Sequence, residues 1–199
     1  MNKTFLETIR LEDGIFHFLS YHQLRVESVF KAHNCNNTKI YLEKIFHNIP
    51  KSGLYRCRLI YTLDGLFDYE YIAYTKRKIK TFRMIFNDKI SYPFKYANRK
   101  EIENLYKLKN GCDEIIIVKE GYITDTSIAN IAFFNGDEWI TPKNPLLSGT
   151  TRQRFIDANL LKEQYIKAKD IGTYKKIALM NAMIDFDIMA QENIKEIIC

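Results

Sequence analysis

The stretch "GYITDTSIANIAFF", Gly121 to Phe134, consists of two short apolar runs with "TDTS" lodged between them. Runs of this length bounded by turn residues read as buried strands, yet this one carries a carboxylate, Asp125, where the chain passes through its core. A turn is one explanation, since Asp, Thr and Ser bond readily to nearby backbone. The other is that Asp125 faces a cation inside a pocket, and the rest of the chain must then supply the partner.

Working outward, "DEIIIVKEGYIT" predicts a short buried strand turning at Gly121, and "SIANIAFFNGDEWITP" a hairpin at Asn135-Gly136. "KEIENLYKL" has helical spacing, and a helix over "RQRFIDANLL" follows "PKNPLLSGTT". Toward the N-terminus, "FLETIRL" and "IFHFL" predict strands around a turn at Glu12-Asp13-Gly14, then a helix from Tyr21 to Lys31 capped by Ser20. A second helix through "TKIYLEKIFHNI" precedes two strands, "YRCRLIYTL" and "DYEYIAYTKRKIKTFRMIF", joined through Asp64-Gly65. The order is mixed α+β. A change of texture at residues 87–93 predicts a hinge between an N-terminal lobe, 1–86, and a C-terminal lobe, 94–199, with a ligand expected in the cleft between lobes.

Composition narrows the function classes. With 199 residues, 46% of them apolar, the chain can bury a sizeable core. No run approaches the roughly 18 apolar residues of a membrane span, and the N-terminus has no signal-like apolar stretch, so a soluble, cytoplasmic protein without membrane contact is expected. Cys35, Cys57, Cys112 and Cys199 lie far apart, which suggests neither a zinc framework nor a disulfide scaffold. His17, His22, His33 and His47 form no HExxH pair, so no catalytic metal is expected. The net charge of +6 is spread along the chain, and aromatic residues are not interleaved with a compact basic patch. Nucleic-acid binding is therefore not expected. The densest cluster, "TKRKIK" at 75–80, reads as lysines on an edge strand, where charge discourages aggregation.

Two further segments answer to Asp125. In "PLLSGTTRQRF", Gly149 permits close backbone approach, Thr150 and Thr151 bring hydroxyls, and the following helix offers unpaired N–H groups to a phosphate, although the same pattern is also an ordinary cap. In "SYPFKYANRKE", Lys95 lies between Phe94 and Tyr96, and apolar neighbours favour the neutral, nucleophilic amine. A lysine, a carboxylate thirty positions later and a phosphate cradle about twenty-five further on are the contacts that pyridoxal phosphate requires.

The chain here resembles the class IV aminotransferase family, the fold-type-IV pyridoxal-phosphate enzymes that include branched-chain and D-amino-acid aminotransferases and 4-amino-4-deoxychorismate lyase. The matching segments run in family order: "ETIRLEDG", "YHQLR", "FKYANR", "DEIIIVKEGYITDTSIANIAFF", "PLLSGTTR" and "LMNAM". The resemblance implies a two-lobed D-amino-acid-aminotransferase-like fold and a homodimer. It makes Lys95 the Schiff-base lysine and Asp125 the partner of the pyridine nitrogen, in a position where the family usually has Glu. It makes Arg25 of "YHQLR" the arginine that clamps the phosphate, a task suited to its planar fork. Gly149, Thr150 and Thr151 fall at the phosphate site, and Asn181 with Ala182 on a backbone segment bordering the pocket. Most relatives carry a further strand-turn segment ahead of the "ETIR" region, at which this chain almost starts, so part of one usual active-site wall is expected to be missing. Arg10, Arg56 and Arg58 alternate on first-lobe strands, and Arg58 is the candidate for a substrate carboxylate.

The implied activity is amino-group transfer from a small amino acid. The alternative is the lyase reaction, loss of pyruvate from aminodeoxychorismate to give 4-aminobenzoate, to which "KYANR" is closer than to the glycine-containing pattern of branched-chain aminotransferases.

Overall fold

The computed structural model describes residues 3–35, 37–189, 194 and 198. The chain separates into two compact units, Met1–Lys76 with Phe94–Asn98, and Arg77–Pro93 with Arg99–Cys199. The sequence reading assigns residues 77–86 to the first lobe, whereas they pack with the second unit, and the segment carrying Lys95 packs with the first.

The first unit is built on a sheet of order β2-β1-β3-β4: β1 (Thr4–Glu12), β2 (Ile15–Phe16), β3 (Leu54–Thr62) and β4 (Phe67–Ala73), all antiparallel. The period of two along β1 and β3 turns Phe5, Ile9, Leu11, Cys57, Leu59 and Tyr61 to one buried face. Helix α1 (Leu19–Ala32) contributes Val26, Val29 and Phe30 to the same core. The second expected strand is only two residues long, because Phe18 takes a left-handed conformation (φ 53°) and turns the chain into α1. Phe18, not Ser20, is therefore the N-cap. The expected helix at 38–49 shrinks to α2 (Leu42–Ile45), since the Gln23 side chain takes the Ile40 carbonyl and the Leu42 N–H that a longer helix would use.

The second unit holds two sheets. In one, β5 (Phe82–Phe86) lies parallel to β6 (Glu114–Lys119), which turns through Glu120-Gly121 into antiparallel β7 (Tyr122–Thr126). The connection from β5 to β6 contains helix α3 (Lys100–Tyr106). Both turn residues have positive φ, 52° and 79°, as a two-residue hairpin requires. The other sheet has the order β10-β9-β8-β11-β12, with β8 (Asn130–Phe134), β9 (Trp139–Pro142), β10 (Lys162–Gln164), β11 (Lys176–Asn181) and β12 (Asp185–Met189). Helix α4 (Thr150–Asp157) lies between β9 and β10 in the chain. Phe82, Ile116, Val118, Ile131, Phe133, Ile177 and Leu179 share one core.

The single strand expected at 68–86 is two strands in different sheets, and residues 74–81 belong to neither. Asp113 is the physical reason: its carboxylate accepts the Lys80 and Thr81 N–H groups at 2.8 and 3.1 Å, in place of a ladder partner. The "TKRKIK" lysines thus do not stand on an edge strand. Cys35 and Cys57 are free thiols. Among the described residues, no helix is long and apolar enough to cross a membrane.

Candidate active site

In the first unit, the segment around Lys95 adds to the edge of β1. Leu6 donates its N–H to the Lys95 carbonyl at 2.7 Å, Ala97 donates to Thr4 at 2.9 Å, and Phe5 bridges Tyr96. This pairing fixes the half-buried Lys95 beside the second residue group of interest, a buried polar cluster around Glu7. Glu7 occupies the core face of β1 between Phe5 and Ile9 and is 0% exposed. Arg25 donates to it side-on, Nε to Oε1 at 2.7 Å and Nη2 to Oε2 at 2.5 Å, and His22 Nδ1 lies 2.6 Å from Oε2. His22 and Arg25, three apart on α1, share a helix face.

Burial, the largest single influence on Glu7, pushes its carboxyl up, but the Arg25 charge and the bonds from His22 and Arg25 outweigh it and bring the pKa to about 2. Burial also pushes the His22 pKa below its ordinary value, against the pull of Glu7 and with the added push of the Arg25 and Lys95 charges. His22 is accordingly a neutral imidazole donating its Nδ1 proton to an ionised Glu7.

In the second unit, Asp125 owes its position to an irregular ladder. Ile116 pairs Thr126 and Val118 pairs Ile123, so β7 spends one residue more than β6 over the same span. Glu114 to Val118 and Ile123 to Thr126 are buried without alternation, so both faces of this sheet are covered and the neighbours Thr124 and Asp125 are buried together, at 4% and 5% exposure. The Thr124 hydroxyl returns to the Ile117 carbonyl. Asp125 accepts from Asn130 Nδ2 at 2.6 Å and from the Leu147 N–H at 3.0 Å. The same Asn130 amide donates to the Leu147 carbonyl at 2.8 Å, which ties the bulge to the loop ahead of α4. Burial dominates the electrostatics of Asp125 and raises its pKa to about 7, despite those hydrogen bonds and the Arg152 charge.

The α4 N-terminus starts at Gly149 with no side-chain cap, although a Thr-rich start suggests one. Thr150 and Thr151 are buried, and neither hydroxyl bonds to any described residue. Gly149 has an ordinary φ of −73°, so close approach, not backbone freedom, requires it: a methyl group there would overlap Asn130 Oδ1 and lie 3.1 Å from its Cγ. Gly149→Ala is expected to lower stability by roughly 1–3 kcal/mol, the usual cost of overpacking, and to loosen the Asn130 bond to Asp125. Thermal melts check this, and an unchanged midpoint would contradict it.

Asn181 is spent on structure. Its Oδ1 accepts from Met183 and Ile184 N–H groups, and its Nδ2 donates to the Ile128 carbonyl, so it braces the turn containing Ala182 against the residues leading into β8. Arg58 stands on the face of β3 opposite Cys57, Leu59 and Tyr61 and pairs with Glu70 across the ladder at 3.2 Å. It is not brought together with Glu7. Arg99, the arginine of "KYANR", donates to the Ser127 carbonyl just after Asp125.

The structure thus gathers Asp125, Gly149, Thr150 and Thr151 in one unit, and Arg25 and Lys95 in the other. Sequence reasoning missed Glu7, His22 and Asn130. A signal existed for Glu7, since it breaks an otherwise apolar alternation, and for His22, through its spacing from Arg25. Nothing local distinguishes Asn130.

The sign of the Asp125 effect is testable in the cofactor-free protein. Its folded pKa of about 7 exceeds the ordinary 3.8, so between those values the folded state holds a proton that the unfolded state releases, and stability falls as pH rises through that window. Asp125→Asn abolishes this loss, so the variant should gain on the parent in thermal melts from pH 5 to pH 8. A constant difference would contradict the assignment.

The sequence profile described as Amino-transferase class IV matches residues 4–186. An uncharacterized protein of Haemophilus influenzae is 33% identical over 181 residues, covering 89% of this chain and 96% of that protein. A crystal structure from Haemophilus somnus 129PT, provisionally described as a 4-amino-4-deoxychorismate lyase, is similar at 34% identity and a TM-score of 0.83, over 92% of this chain and 97% of that one. An aminotransferase from Brucella abortus bound to pyridoxal phosphate shares the fold alone, at 18% identity and a TM-score of 0.69 over 94% of this chain and 80% of that one.

Proposed function

The chain belongs to the amino-transferase class IV family, and from that premise we propose that it is a pyridoxal-phosphate enzyme that eliminates pyruvate from an aminodeoxychorismate-type substrate, with Lys95 as its proton-transferring residue. The observation that carries the reading is the Asp125 junction: a buried carboxylate raised to about 7 and bonded to the loop that starts α4. A carboxylate so placed calls for a cationic partner, and the uncapped helix start with two unbonded hydroxyls suits an anion. The residues present therefore fit a ligand with a protonated ring nitrogen and a phosphate.

In this reading Asp125 is the partner for the ring nitrogen, Thr150, Thr151 and the α4 N–H groups suit the phosphate, and the Asn181-Ala182 turn borders the ring, while Arg25 keeps the phosphate-binding role that the family resemblance implies. Pyridoxal phosphate supplies, when bound, an aldehyde that joins amines and a ring that withdraws electrons from the substrate carbon. Lys95 Nζ accepts the proton that leaves that carbon. Arg58, whose exposed pair with Glu70 is worth little, is available to a substrate carboxylate. Homodimerisation belongs to the same proposal and is read by sedimentation.

Elimination is placed first because the relative that is 34% identical over nearly its whole length carries the lyase description. Amino-group transfer is the second reading, favoured by the family profile itself. Incubating the holoenzyme with aminodeoxychorismate separates them: pyruvate and 4-aminobenzoate in equal amounts are expected. Absence of both, with a keto acid formed from a supplied amino acid, would assign transfer instead.

A further inference from the structure

We propose that Glu7 is a positioning residue that presets the Arg25 guanidinium for the phosphate of the cofactor, an inference that rests on the functional reading above. A carboxylate at 0% exposure on an apolar strand face is costly unless fully matched, and Glu7 is matched by Arg25 and His22 together. Two parallel bonds from Nε and Nη2 fix the plane of the guanidinium as well as its place. Arg25 is a long side chain with many rotamers, and it is held before any ligand arrives. His22 adds a third bond from the same helix face and so fixes the carboxylate in turn. With a neutral His22, the cluster sets one positive charge against one negative charge, and Arg25 is the only member of the pair suited to an anion.

Positioning and simple electrostatics make opposite forecasts here. If Glu7 acted only through its charge, its removal would leave Arg25 less neutralised, and a phosphate ester would bind more tightly. If Glu7 acts by holding the fork in place, its removal frees a side chain that must be ordered on binding, which weakens affinity about 3- to 10-fold. Glu7→Asp sharpens the contrast, because it keeps the charge and withdraws the carboxylate by one methylene.

The experiment titrates the purified protein and its Glu7→Gln and Glu7→Asp variants with pyridoxal phosphate and with pyridoxal, which lacks the phosphate, following the absorbance of the bound aldehyde. The expected result is a dissociation constant for pyridoxal phosphate raised about 3- to 10-fold in both variants, with that for pyridoxal within twofold of the parent. Tighter or unchanged binding of pyridoxal phosphate overturns the inference. So does parallel loss of both ligands, which marks a merely structural residue or a variant that does not fold. Failure of the parent protein itself to bind pyridoxal phosphate would instead remove the functional reading.

Discussion

Lys95→Ala protein should fold normally and lose turnover by about 10⁴-fold, the upper end of what a positioned proton-transferring group contributes. Lys95 is half-buried, and what anchors its segment to β1 is backbone pairing at residues 4–6 with 95–97, which the side chain does not enter. The substitution therefore removes an amine without removing a structural bond of that pairing. Pyruvate release from aminodeoxychorismate, and keto acid formation from amino acids, should both fall while the thermal midpoint barely moves. Retention of more than a few per cent of either activity would assign the proton to another residue.

The second large effect is on stability. Glu7→Ala leaves Arg25 and His22 facing a buried void with no carboxylate, and breaking a buried pair in this way costs about 3–5 kcal/mol. The pH dependence has a definite sign. The folded pKa of Glu7, about 2, lies below its ordinary 4.5, so its contribution is complete above about 4.5 and is lost as pH falls toward 2. The lowered His22 adds a loss that begins earlier, below 6.5, where the unfolded chain takes up a proton that the buried imidazole refuses. Denaturant titrations from pH 7 to pH 3 should show the parent losing stability steadily. A stability that stays flat over that range would contradict the account of the cluster.

Much of the architecture was legible because it follows from local chemistry. The alternation along β1 and β3, the two-residue turn at Glu120-Gly121 and the hairpin after Phe134 are each dictated by side-chain period or by backbone freedom at glycine. What escaped was decided at a distance. Asp113 captures the backbone at Lys80 and Thr81 and so ends a run that alternates like a strand, and Gln23 does the same to the expected helix at 38–49.

The candidate site shows the same division. Lys95, Asp125 and the Gly149-Thr150-Thr151 start stand out as residue types in context. The irregular ladder that carries Asp125 does not, because it depends on the register of β6 against β7. Nor does Asn130, whose one amide group bonds both Asp125 and Leu147 while its oxygen forbids a side chain at Gly149. Glu7 lay in plain view within "ETIRLEDG", but its partners on α1 gave it meaning.

The central claim is that the amine of Lys95 is the group joined to pyridoxal phosphate. Borohydride reduction of the purified holoprotein, followed by peptide mass mapping, reads it directly. A single reduced pyridoxyl-phosphate label on the peptide containing Lys95 is the predicted result. A label on a different lysine, or none on a protein shown to have the cofactor bound, would contradict it.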